Sequence, residues 1–284
     1  MRTVGVVGRV VAPGSNARAL LETWSLLKRY RELIIEMMRR EVYTQYGRQA
    51  LGAWWIIGHP FFLMMIYVTV FTLVFRVRLD QSVEMPRDYL TYLMSGLIPW
   101  MTTQQCLSRG PSLLVGNANL VKQVVFPIGV IPVANVFLNL AVLVVGIGIL
   151  LLYMMFAVGG WPWTVLLLPI VAGLHIMGLL GIGFGLAALG VFARDLKDVI
   201  QVLCIAGIYM MPIFYLPEWV PAPIKPLLYV NPFSYMGWVY QDVLYYGRFE
   251  HPASWFVFVI GSFVLCGGGY RLFKRLSPQF GNAL

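Results

Sequence analysis

Long stretches with almost no charge recur from residue 54 to 273, and the basic residues collect in alternate gaps between them. A helix needs roughly 20 mainly apolar residues to cross a bilayer, and at least five stretches here approach or exceed that length. The chain therefore reads as an all-α integral membrane protein. Only 12% of its residues are charged, against roughly 25% in ordinary soluble domains, so no room remains for a separate soluble catalytic core.

Six spans are expected, at about 54–75, 89–107, 128–158, 163–192, 199–215 and 254–273. The second is polar for its length, with Thr102, Thr103, Gln104 and Gln105 in a row. Such residues are costly in lipid, so this end belongs inside the assembly or near the interface. Sixteen of the 21 Lys and Arg fall before the first span, in alternate gaps and after the last. Basic residues are retained in the cytoplasm, which places both termini there and requires an even number of crossings. The net charge of +9 thus reports topology, and no basic stripe of a nucleic-acid binder is present.

Three segments are neither span nor ordinary loop. Before the first span, Leu33, Ile34, Met37, Met38, Val42 and Tyr46 recur at helical spacing opposite several arginines. This describes an amphipathic helix in the cytoplasmic interface. Arg39, Arg40 and Arg48 either anchor topology or meet an anionic lipid or lipid-linked diphosphate, since guanidinium forks pair well with phosphate. At 112–126, Asn119, Leu120, Lys122 and Gln123 lie in a short amphipathic helix facing the cytoplasm. Between the fifth and sixth spans, 216–251 mixes five prolines with nine aromatic residues, too apolar for a free loop and too broken to span. Short helices dipping into the outer interface fit both properties. The compact turn Arg194, Asp195, Leu196, Lys197, Asp198 places Asp195 to cap the next helix.

Catalytic patterns are missing. Cys106, Cys204 and Cys266 are far apart, with neither zinc nor disulfide spacing, and read as small core residues. His59, His175 and His251 are isolated in sequence, with no carboxylate at ligand or triad spacing. Gly183, Gly185 and Ala188 make a formal G-x-G-x-x-A match inside an apolar span, where close helix packing through Gly181 and Gly185 is the better reading. No G-x-x-x-x-G-K-[ST] loop occurs. Asp and Glu are absent from the centres of the spans, which argues against ion-coupled transport.

Several local patterns occur in a definite order: Arg40 to Tyr46 (REVYTQY), Leu51 to Trp55 (LGAWW), Tyr92 to Trp100 (YLMSGLIPW), Asn119 to Pro127 (NLVKQVVFP), Val191 to Asp198 (VFARDLKD), Met211 to Tyr215 (MPIFY) and Asn231 to Phe233 (NPF). Together they resemble the membrane subunit of ABC-2 type exporters, in the polysaccharide branch that handles O-antigen, teichoic acid and capsule, over about residues 30–280. The resemblance implies a six-span half-transporter in the bacterial inner membrane, forming a homodimer with two copies of a separate ATPase. ATP and Mg would bind that partner and no cofactor would bind this chain. It also implies a gate helix at 30–53 and a transmembrane domain at 54–273; residues 1–29 lie outside the resemblance and are expected to form an N-terminal cytoplasmic extension of open role, with a cytoplasmic tail at 274–284. Within the domain, 112–126 would be a coupling helix, with Arg194 and Asp195 near the ATPase, and 216–246 a re-entrant periplasmic segment.

The first and fifth spans would line the conduit of such a transporter. A sugar ring has apolar C–H faces, so aromatic walls can contact successive rings of a polymer. Candidates are Trp54, Trp55, Phe62, Tyr67, Tyr209, Phe214 and Tyr215, although aromatic residues near span ends also serve as interfacial anchors. The expected function is export of a lipid-linked polysaccharide. Export of a drug or lipid by the same architecture, a membrane enzyme acting on a polyprenyl-linked glycan, and a passive pore or scaffold are the alternatives.

Overall fold

A computed structural model describes residues 13–47, 51–70, 86–123 and 126–284. Every regular element among these residues is helical. Helix α1 (Pro13–Arg29) leads through Tyr30 into α2 (Arg31–Tyr46), and a short 3₁₀ turn at Gly52–Trp54 opens α3 (Trp55–Thr69). Helix α4 (Tyr89–Arg109) is followed by two single-turn helices, α5 (Leu113–Gly116) and α6 (Ala118–Val121). The long helices α7 (Val130–Tyr153) and α8 (Leu168–Phe192) come next, then the shorter α9 (Leu196–Gly207). A hairpin carries α10 (Lys225–Val230) and α11 (Pro232–Gln241), and α12 (Pro252–Leu276) with α13 (Phe280–Ala283) closes the chain.

Among the described residues, four helical stretches are long and apolar enough to cross a membrane: Gly52–Thr69, Val130–Val158, Trp163–Phe192 and Pro252–Ala283. Helix α4 is long enough but more polar, and it is the most enclosed helix, with Tyr92, Leu93, Leu97, Thr91, Ser95 and Thr102 all fully buried. Its hydroxyls satisfy one another's turns, as where Thr102 donates to the Ile98 carbonyl and Thr103 to the Pro99 carbonyl. This accounts for the polar row. The fifth expected span differs, because its helix stops at Gly207 and residues 208–216 run irregularly through Pro212.

The helices run alternately between two ends. At one end Arg87 donates to the Tyr245 carbonyl, the Tyr153 hydroxyl donates to Asp88 at 2.8 Å and the Thr164 hydroxyl donates to the Val243 carbonyl at 2.7 Å. Here lies the hairpin. At the other end Arg109 pairs with Glu41 at 3.5 Å, Arg271 donates to Asn16 at 3.1 Å and Lys274 to Glu22 at 2.7 Å. Helix α1, part of the 1–29 extension, is thus fastened to the end of α12. Among the described basic residues only Arg87, Lys225 and Arg248 belong to the hairpin end.

The tightest helix pair is α8 against α12. A Cβ on Gly181 would overlap the Leu265 carbonyl, and one on Gly269 would overlap the Gly181 backbone. Gly185 faces open space. The G-x-x-x-G expectation is therefore corrected, since Gly181 pairs with Gly269 of the facing helix and Gly185 takes no part. All three cysteines are buried with free thiols.

Candidate functional site

The break in the fifth segment creates the central problem of the site. A chain that leaves helical geometry at membrane depth exposes carbonyls with no water to satisfy them, and such backbone is tolerated only where protein supplies donors. Donors converge on residues 210–215 from three elements. The Tyr92 hydroxyl of α4 sits 2.9 Å from both the Pro212 and Tyr215 carbonyls, and Tyr89 donates to the Phe214 carbonyl at 2.8 Å. Gln241 of α11 donates to the Pro212 carbonyl at 2.7 Å, and the Asn231 amide to the Met210 carbonyl at 3.2 Å.

This cradle presents aromatic rings beside the first span. Tyr67 of α3 lies 5.3 Å from Phe214, and Tyr209 lies 5.9 Å from Phe214, centroid to centroid. Tyr215 folds back and donates to the Tyr209 carbonyl at 2.7 Å. Four of the conduit candidates are thereby brought together. Phe214 is buried and acts as the packing core of the group, whereas Tyr209 is 60% exposed. Near the opposite end of α3, Trp55 and Phe62 are 6.3 Å apart, and Trp54 and Phe62 are exposed. Trp55 also lines a pocket of about 240 Å³ with His59, Gln104, Gln105, Ser108 and Arg109. Gln104 and Gln105 of the polar row thus face the first span, whereas Thr103 turns to His175 of α8, a division that periodicity alone does not reveal.

The phosphate candidates divide. Arg39 and Arg40 are both exposed on α2, and Arg39 borders a shallow groove walled by Ile35, Met38, Tyr43 and Leu138. Arg48 lies outside the described residues. Ile34 and Met37 of the same helix are buried in the core, so α2 is packed against protein along one face.

The expected single helix at 112–126 is corrected. It comprises a 3₁₀ turn at Gly110–Ser112 and the two short helices α5 and α6, broken at Asn117, whose side chain donates to the Leu113 carbonyl at 3.0 Å. An Asn at this position competes with the helix for its own backbone groups. Asn119, Lys122 and Gln123 are exposed while Leu120 packs partly against the core. The segment sits under the end of α8, where Gly190 leaves space for the Pro111 carbonyl. Arg194 and Asp195 are exposed in the turn that follows α8, at the same end. Asp195 does begin α9, yet its carboxylate makes no capping bond, and its backbone carbonyl accepts from Val199 instead.

The hairpin contains a feature that the sequence hides. Asp242 is fully buried and receives three hydrogen bonds: from the His251 ring at 2.8 Å, from the His251 backbone N–H at 3.1 Å and from the Trp255 indole at 2.9 Å. The expectation that His251 has no carboxylate partner is overturned. Gly247, at φ 70°, reverses the chain between them and has no room for a side chain beside Pro162 and Arg87. A glycine five residues after Asp242, near the end of the Pro-rich aromatic segment, is the local signal of that turn. Burial lowers the pKa of the adjacent Arg87 guanidinium, an effect opposed by Tyr245 and Asp88. His175 also has partners, Thr103 at 2.9 Å and Tyr240 at 3.1 Å, which form a neutral polar chain across the core.

Among the described residues no group of His, Cys, Asp and Glu is arranged to hold a metal ion. The site offers aromatic surface, buried carbonyl scaffolding and an exposed polar face at the basic end. The family model for the ABC-2 type transporter matches residues 32–245. The chain belongs to the ABC-2 type transporter family. Two curated relatives extend the likeness to almost the whole chain. The O-antigen export system permease protein RfbA of Klebsiella pneumoniae is 26% identical over 89% of this chain and 95% of its own length. The protein of the same name from Myxococcus xanthus is 26% identical over 91% of this chain and 97% of its own length. This ABC-2 protein is accordingly a multi-pass membrane permease.

Proposed function

We propose that this chain is the permease subunit of an ATP-driven exporter that carries a lipid-linked polysaccharide, O-antigen, from the cytoplasm across the bacterial inner membrane. The observation that carries the proposal is its near end-to-end likeness to permeases named for O-antigen export. The cluster of Tyr67, Tyr209 and Tyr215 supports it, because successive sugar rings can slide along aromatic surface without a fixed hydrogen-bond pattern to break. Exposed apolar faces on α3, with Phe61, Met65 and Ile66, and on α9, with Val199, Val202 and Ile205, suit burial by a second copy of the chain in a homodimer.

The basic end faces the cytoplasm in this reading, with both termini there and six crossings in all, counting α4 and the segment from α9 to Tyr215. The hairpin is then the re-entrant periplasmic segment. Two copies of a separate ATPase bind ATP and Mg and dock on Asn119, Lys122, Gln123, Arg194 and Asp195, with α2 as the gate helix. Deletion of the gene in its host should remove polymer from the cell surface and leave lipid-linked chains on the cytoplasmic leaflet, with restoration by a plasmid copy. Full surface polymer after deletion would refute the proposal.

A further inference from the structure

At the hairpin end a pocket of about 440 Å³ opens between the 216–229 stretch and the turn that holds Asp242, within the size range of small-ligand sites, ~300–1,000 Å³. Its lining includes Trp238 and Tyr245, which are 2% and 0% exposed. Tyr229, half exposed, adds a ring 5.2 Å from Trp238 and tilted from it by 37°. Tyr246 contributes a further ring to the lining. Burial, with Glu218, Glu250 and Asp242 nearby, holds the Tyr246 hydroxyl above its ordinary pKa, so it stays protonated.

Two polar atoms of the lining residues are unpaired and closed off from the open space of the pocket. The Trp238 indole N–H and the Tyr245 hydroxyl are buried with no hydrogen-bond partner among the described residues. Native interiors rarely leave such groups unpaired, and each one calls for an explanation. None of the lining residues is among the conduit candidates.

We infer that this pocket binds a neutral sugar ring of the exported polymer, an inference that rests on the export reading. A pyranose stacks a C–H face on the half-exposed Tyr229 ring, donates hydroxyl protons to the Glu218 carboxylate and exchanges hydrogen bonds with the Tyr246 hydroxyl, and a small shift of the buried Trp238 and Tyr245 side chains would bring their free N–H and O–H to the same ring. The charges in the lining favour a neutral ligand over a phosphate. Glu218 and Glu250 balance Lys225 and Arg248, and Arg248 is already engaged by Glu250 at 2.6 Å. Placed at the end where the proposed path leaves the protein, the pocket would hold a ring of the emerging polymer and oppose its return.

The test is saturation-transfer NMR on the full chain in lipid nanodiscs. The probes are methyl glycosides of glucose, galactose, mannose and rhamnose, together with delipidated polymer from the host. Wild-type protein should transfer saturation to ring C–H protons of at least one probe. Tyr229→Ala should weaken binding about tenfold, as loss of an aromatic platform implies, and Glu218→Gln should weaken it in the same direction. Both positions are at the surface side of the pocket, and Trp238→Phe, which removes only the indole N–H and part of the ring system, provides a second variant if either elutes abnormally. No transfer from any probe to wild type, or equal transfer to wild type and every variant, overturns the inference. Loss of surface polymer on gene deletion together with either of those results leaves the export reading standing without the pocket. Intact surface polymer removes the export reading itself.

Discussion

Replacing Asp242 by Ala should open the hairpin locally, whereas replacing it by Asn should not. The carboxylate accepts three N–H donors and its side chain is 1% exposed. Alanine would strand all three donors in a site closed to water. Three orphaned donors at about 1–3 kcal/mol each cost at least about 3 kcal/mol together. Asparagine keeps an acceptor at the position that serves the His251 backbone and Trp255. Its amide can donate to His251 Nδ1 once that ring carries its proton on Nε2, so its cost should be about 1 kcal/mol or less. At about 1.4 kcal/mol per tenfold change, the alanine variant should raise the local opening constant by at least about 10². Hydrogen exchange of the amides from Asp242 to Phe256, measured by mass spectrometry on protein in nanodiscs, reads that constant directly. Equal exchange in the two variants would show that the network does not hold the turn.

Gly181→Ala should destabilise the α8–α12 pair by about 1–3 kcal/mol, the usual cost of overpacking, because its new methyl meets backbone that cannot move aside. Gly185→Ala, in open space, should be neutral or stabilising by up to about 1 kcal/mol through helix propensity; thermal melts that rank the two variants the other way would reverse this packing assignment. At the basic end, Leu120 is partly buried, so a charge placed there tests folding as much as docking. Replacing the exposed Asn119, Lys122 and Gln123 together by Glu should preserve the elution profile and abolish co-purification of an ATPase, and retained co-purification would move the docking surface elsewhere.

Legibility in the sequence varied with the range of the interactions involved. The apolar stretches at 128–158, 163–192 and 254–273 correspond closely to helices long enough to span, since a spanning helix must satisfy its own backbone wherever it packs. Helix α4 was located to within two residues at its C-terminal end, and its polar row was read as facing protein. The fifth span was not legible to its end. Pro212 marks a break, but the donors that make the break tolerable come from Tyr89, Tyr92 and Gln241, distant in sequence. At 112–126 the apolar pattern was real, yet Asn117 divided it.

Hydropathy and charge by themselves determined that the chain lives in a membrane, where four long apolar helices lie and which basic gaps share an end. Those properties add up residue by residue, and the bilayer rather than a distant neighbour selects for them. Tertiary structure alone decided that Asp242 holds His251 and Trp255, that Gly181 meets Gly269 and not Gly185, and that Tyr67, Phe214 and Tyr209 form one aromatic group. Each depends on a partner brought from another helix, and no local pattern encodes which helix that will be.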